Sequence, residues 1–367
     1  MGVESVSDFF AYWLRQHDKS APKTLRERFW LSCRGTGVKW APFTGLLVMT
    51  LSGLDTIMTR TSLLDAGPGI RFLFGMYACT TAVYFNAFKQ EETLAMLRQL
   101  SWVAVQVEGG ELGGQPDPDT QAMLRRTATS SSRFIRGGEI WSCFVMISIG
   151  LPVALTGKPA NPTWPPPDTP AQWWSLLVLH CLSTVFLPAA YFSLFPLITS
   201  LFRQCSALEH AIAKLLERAH TFQQVRDATL LSSELNHGFA MLNGLFHGIL
   251  SHILQSTLFI PLFAAYEMLN GQFDGFLIAV IPLNFAFFLP LCLAGEGTKS
   301  AALAEAAYNG SWLEGDHNCR VLRLQVMQRA ARPNQITSRE MGPINLRLFQ
   351  EALKSWFSFL NFMLNTL

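Results

Sequence analysis

The chain has 367 residues, of which 50% are hydrophobic and only 15% charged, with 28 Phe, 10 Trp and a formal net charge of +2. Average soluble proteins carry roughly 25% charged residues, so this composition sets aside a soluble enzyme, a nucleic-acid binder and a disordered scaffold. Several apolar runs reach the ~18 residues that mark a membrane span, and the expected fold class is an all-α polytopic membrane protein.

The N-terminal segment, residues 1–37, carries Arg15, Lys19, Lys23, Arg26 and Arg28 before any apolar run. No short apolar core and small-residue cleavage site follow this basic start, so no cleaved signal peptide is expected. Seven stretches then suit helices of about 20 residues across a ~30 Å hydrocarbon core. They are 38–59, 68–88, 137–156, 172–202, 241–266, 273–295 and 344–367. After the second span, Glu91-Glu92-Thr93-Leu94-Ala95-Met96-Leu97 reads as an amphipathic helix, broken by Gly, Pro and Asp at 109–118. The external loop 157–171 is too proline-rich for regular structure. The fourth span contains Pro188 and Pro196 and is long enough to tilt or kink. Beyond it, Leu208, Ile212, Leu215 and Leu216 keep helical spacing, so the helix is expected to run on past the membrane. The sixth span holds Pro282 and Pro290, and the seventh is interrupted by Arg347, Glu351 and Lys354.

Lys and Arg between the spans fix an orientation. Twenty-three lie in the N-terminus and the segments on its side, against Arg60, Arg71 and Lys158 on the other. The N-terminus is therefore expected in the cytoplasm, and seven spans place the C-terminus outside the cell. The seven cysteines show no close pair and no metal-type spacing, so neither a metal nor a cofactor is expected. No internal repeat of the kind found in many transporters is present.

The last span carries the strongest chemical signal. Arg347, Glu351, Lys354, Ser358, Asn361 and Asn365 follow steps of four and three, which align them along one side of a helix. Phe349, Leu353, Trp356, Leu360 and Met363 lie largely away from that stripe. A polar stripe facing lipid is costly, so it must meet water or another polar surface. Copies gathered about an axis would line a pore, with charges in the cytoplasmic half and neutral Ser358, Asn361 and Asn365 in the outer half. The competing reading pairs Arg347, Glu351 and Lys354 with one another along the helix and uses the amides as interhelical glue.

In this context the last ~70 residues resemble the insect odorant receptors. Ser300, Ala307-Tyr308 and Trp312 look like the family's pattern after the sixth helix. Val326-Met327-Gln328-Arg329-Ala330-Ala331-Arg332-Pro333 resembles its next motif, a short helix ending in Arg and Pro. Leu353-Lys354-Ser355-Trp356-Phe357-Ser358-Phe359 resembles its terminal helix, with Phe357 where the family usually has Tyr. The resemblance implies an odorant-tuning subunit of a non-selective cation channel in the plasma membrane of olfactory sensory neurons. It implies a heterotetramer with the shared odorant co-receptor, packed through a cytoplasmic anchor. Residues 38–295 would form a six-helix ligand-binding region with cytoplasmic helical extensions. Residues 296–343 would be the anchor, with Tyr308 and Trp312 in assembly, and 344–367 the pore helix. Aligning the chain ends with the co-receptor places an apolar gate at Phe362 and a polar ring at Asn365. The stripe instead centres on Asn361.

The rival class is a seven-helix G-protein-coupled chemoreceptor, which usually places its N-terminus outside. Its Asp/Glu-Arg-Tyr and Asn-Pro-x-x-Tyr motifs are absent, and the 157–171 loop has no cysteine. An intramembrane enzyme is not expected: His247 and His252 are five residues apart, on different helix faces, and read as packing residues. A volatile ligand needs an apolar cavity with one or two orienting polar groups. The outer halves of spans two to six offer Phe72, Met76, Tyr77, Phe144, Ser148, Leu151, His180, Thr184, Phe259 and Tyr266. This set suits a small aromatic volatile, oriented by His180, Ser148 or Tyr77.

Overall fold

The computed structural model describes residues 3–17, 41–59, 62–156, 168–272, 280–282, 284–299, 301–312, 315–332 and 334–366. Within those helices, the side chains of 17, 41–46, 49, 63, 149–150, 152–154, 156, 180–189, 284 and 366 lie outside the description. The described chain is helical almost throughout. In order come α1 (Val6–His17), α2 (Ala41–Thr59), α3 (Leu63–Phe88), α4 (Gln90–Gly109), α5 (Pro118–Thr156), α6 (Pro170–Arg218) and α7 (Phe222–Leu269). A π-helical turn, Asn284–Phe288, leads into α8 (Leu289–Gly297), followed by α9 (Ala302–Asn309) and α10 (His317–Ala330). The short antiparallel strands β1 (Thr337–Ser338) and β2 (Gly342–Pro343) precede α11 (Leu346–Thr366).

Local chemistry sets many of these boundaries. Ser62 opens α3 by accepting from the Asp65 amide at 3.1 Å, and Asp117 opens α5 by accepting from the Thr120 amide at 3.0 Å. Helices α6 and α7 each start on a capping box, Thr169 with Gln172 and Thr221 with Gln224, satisfying amides that have no partner in the first turn. Pro170 then occupies the first helical position, where its missing N–H removes no bond. At its far end α4 closes on Gly110 at φ 69°, a left-handed cap that glycine adopts without strain. Pro282 and Pro290 flank the π turn, each lacking the N–H that a continuous α-helix needs. The sixth predicted span is thus interrupted, and its first part, 273–279, lies outside the described residues.

Helix α6 has 49 residues and α7 has 48. At 1.5 Å per residue each is about 70 Å long, more than twice a ~30 Å hydrocarbon core. The fourth span therefore continues as helix well past residue 202, as the leucine spacing predicts. At this packed end α5 and α9 lie along α6, while α4 and α10 lie along α7. The N-terminal segment contributes α1, a helix the sequence reading did not anticipate. Its Val6, Phe9, Phe10 and Trp13 are buried. The Glu108 carboxylate of α4 caps it, accepting from the Val6 amide at 2.8 Å and the Ser7 amide at 3.0 Å.

Arg323 of α10 is the largest buried charge at this end. Its Nη2 donates to the Ala219 carbonyl at 2.7 Å, and its Nη1 donates to the Ala306 and Ala307 carbonyls at 3.5 Å. One guanidinium thus satisfies carbonyls at the ends of α6 and α9, which no helix bond reaches. Gly310 makes room for it: a Cβ there would stand 1.7 Å from Arg323 Nη1.

At the opposite end the surface is apolar. Met58, Ile140, Ile147, Leu151, Leu155 and Trp174 are all exposed, as expected of side chains that meet lipid rather than water. Among the described residues, Phe222–Leu269 contains a stretch long and apolar enough to cross a membrane.

Candidate functional site

Terminal helix α11 divides into two faces. Phe349 packs edge-on against Phe288, with ring centroids 5.2 Å apart. Trp356 Nε1 donates to the Leu258 carbonyl at 3.2 Å. Leu360 and Met363 are buried against Leu262, Phe263 and Tyr266 of α7. These residues recur at helical spacing and fix which way α11 is turned. Arg347, Glu351, Lys354, Ser358, Asn361 and Asn365 are therefore exposed on the other side. Arg347 Nε donates to Glu351 Oε1 at 2.8 Å, and Asn365 Nδ2 donates to the Asn361 carbonyl at 2.8 Å. Phe357 and Phe362 are also exposed and flank the polar stripe, with Asn361 between them on the helix surface.

The predicted ligand residues do not all share one environment. Phe72 is half-buried against the main core and Met76 is buried within it. Tyr77 turns elsewhere, its hydroxyl against His252 Nδ1 of α7. Neighbouring helix positions are 100° apart, so with Met76 in the core Tyr77 faces another direction. It opens on a groove of about 950 Å³ between α3 and α7, bounded also by Thr50, Tyr84 and Lys89. Phe259 is partly exposed and stacks on Phe74 at 4.7 Å, whereas Tyr266 is buried beneath α11. On α5, Phe144 and Leu151 are exposed, and Ser148 Oγ donates to the Phe144 carbonyl at 2.8 Å. The side chains of His180 and Thr184 lie outside the described residues. Of the two assembly candidates, Tyr308 is largely exposed on α9 and Trp312 is half-buried. His247 Nδ1 lies 3.1 Å from Thr337 Oγ1.

One pair was missed in the sequence. Arg71, counted above as an outer flanking charge, is buried in α3 and forms an ion pair with Glu267 of α7 at 3.2 Å. The available signal was a charge set inside an apolar run, which at membrane depth calls for a partner. Glu267 adjoins Tyr266, so the pair links α3 to the part of α7 that holds α11.

The profile of the 7tm odorant receptor family matches residues 72–357. No curated protein sequence matches the chain. Among solved structures, the insect olfactory receptor OR5 of Machilis hrabei is 12% identical, covering 98% of this chain and 97% of that one, with a TM-score of 0.77. The same receptor in complex with eugenol gives 12% identity, 98% coverage of both chains and a TM-score of 0.78. At that identity the likeness establishes a shared fold, and with the family match over most of the sequence it makes this a multi-pass membrane protein. The chain belongs to the 7tm odorant receptor family.

Proposed function

We propose that the chain is an odorant-tuning subunit of an odorant-gated, non-selective cation channel. The observation that carries this reading is the two-faced terminal helix. Its apolar side is satisfied by α7 and α8, while Ser358, Asn361 and Asn365 stand unshielded on a helix of membrane-spanning length. Lipid cannot solvate that stripe cheaply, and a second copy about an axis would turn it toward water. Neutral amides then offer partial charges to passing cations without a fixed charge. Phe362 beside Asn361 would supply the apolar constriction.

In this reading the N-terminus is cytoplasmic, the C-terminus is extracellular, and the packed end with Tyr308 and Trp312 joins the co-receptor in a heterotetramer. The setting is the plasma membrane of olfactory sensory neurons. The ligand is a small aromatic volatile, a class supported by the related fold that binds eugenol. It would lie among the outer parts of α3, α5, α6 and α7, near Phe72, Phe144, Ser148, His180 and Thr184.

The test is expression with and without the co-receptor while recording currents evoked by a panel of volatiles. Odour-evoked cation current that requires both subunits is the expected result. Ser148→Ala or His180→Ala should then shift odour sensitivity at unchanged surface expression. A tag at Met1 reachable on intact cells, with one at Leu367 hidden, would overturn the channel topology.

A further inference from the structure

A second cavity lies at the packed end, well away from α11. It encloses about 370 Å³ between α6, α7, α9 and α10. Helix α7 faces it with Thr229, Ser232 and Asn236, α9 with Leu303, and α10 and the stretch after it with Gln325, Arg329, Arg332 and Asn334. Glu209 of α6 forms part of the wall and is only 6% exposed. We propose that this cavity binds a doubly charged oxyanion, a phosphoryl or sulfate-like group, held by Arg329 and Arg332 with Glu209 in its protonated form.

The donors are supplied in excess. Arg329 Nη1 donates to Ser233 Oγ at 3.2 Å, which orients its guanidinium and leaves four N–H groups. Asn334 Nδ2 donates to Asn236 Oδ1 at 2.6 Å, so the Asn236 amide keeps its own hydrogens for an acceptor. Arg332 adds a second fork, the geometry that suits oxyanions.

Glu209 is the second observation. Among the described residues, no hydrogen bond or ion pair reaches its carboxyl. Burial alone raises its pKa to about 7, without a contribution from either arginine. The two cationic groups are therefore not neutralised by it. Cys205, one turn earlier on α6, is the nearby titratable group on the same helix; α7 and α9 present uncharged side chains to the cavity. An ionised Glu209 repels an anion, whereas its protonated form donates a hydrogen bond to one. Binding therefore takes up a proton, so affinity is full below pH 7 and is lost as pH rises through it. The phosphoryl group could belong to a soluble metabolite or to a lipid headgroup, and both share this chemistry.

The experiment uses the full chain in nanodiscs of zwitterionic lipid, titrated with sodium sulfate, inorganic phosphate, sodium chloride and a soluble short-chain phosphoinositide. Calorimetry and thermal unfolding are read at roughly pH 6 and pH 8. Sulfate keeps its charge over this range, so any pH dependence belongs to the protein. Saturable sulfate binding about tenfold tighter at the lower pH is expected. Arg329→Gln with Arg332→Gln should abolish it; Glu209→Gln should keep binding and remove the pH dependence. Binding by the phosphoinositide and not by the inorganic ions, lost in the same double variant, would assign the site to a lipid headgroup. No saturable binding of any anion at either pH, or binding that survives loss of both arginines, overturns the proposal. No odorant is involved, so the outcome is independent of the channel reading.

Discussion

Helix α6 passes through two regions that its sequence barely distinguishes. From Ala190 to Phe202 every residue is buried, while Trp174 and Val178 near its start are exposed. Both stretches are strongly apolar. In the first, aromatic and aliphatic side chains interlock with α5, α7 and the π turn, as Phe202 does against Phe239 and Phe195 against Phe287, each at 5.7 Å. In the second the same kinds of side chain face outward, where lipid replaces protein as the apolar neighbour. Hydropathy reports transfer out of water, and both surroundings satisfy that equally. Packing density is what separates them.

The largest effect should come from the buried cation that organises the packed end. Arg323→Ala leaves carbonyls of α6 and α9 without a donor and opens a cavity, and should cost about 3–5 kcal/mol in thermal unfolding of the purified protein. Arg323→Lys should recover little, since one ammonium cannot reach carbonyls on two helices. Wild-type stability in either variant would mean that Arg323 is a passenger.

The buried pair at the apolar end is the exception that sharpens the contrast. Arg71→Met removes the buried cation paired with Glu267 and should cost about 3–5 kcal/mol. If the interaction is a true pair, the swap Arg71→Glu with Glu267→Arg should restore a substantial part. A swap no better than the single change would reduce the contact to coincidence.

A matched pair of truncations then measures the two regions directly. Leu208 is fully buried and Leu155 is 77% exposed. Leu208→Ala should cost about 2–5 kcal/mol, and Leu155→Ala less than about 0.5 kcal/mol. Equal losses would mean that Leu155 meets protein in the assembled receptor.

The smallest expected effect is a slope. Glu209 has a folded pKa of about 7, raised from 4.5 by burial. The native fold therefore holds the proton more tightly than the unfolded chain. This group's contribution weakens the fold as pH rises from 4.5 to 7, then levels off. Glu209→Gln should remove that slope and leave the variant more stable than wild type above pH 7. Identical pH profiles for the two proteins would show that the carboxyl is solvated in both states.

The two faces of α11 were legible because they are periodic. Steps of three and four put Asn361 and Asn365 on one side and Leu360 and Met363 on another, and the packing of α11 keeps that division. The ligand set was less legible. Residue type marked Met76 and Tyr77 alike, but successive helix positions diverge by 100°, and only the contacts of α3 show which one enters the core.

The sequence by itself determined what depends on neighbours in the chain: the all-helical class, the break at 109–118, the extension of α6 and the stripe on α11. Tertiary structure decided what depends on partners far away. Arg323 reads as one more basic residue until it meets Ala219, 104 positions earlier. Arg71 reads as a flanking charge until it meets Glu267. A helix specifies its own hydrogen bonds and the spacing of its faces, but a buried charge is stabilised only by the group brought opposite it when the helices pack.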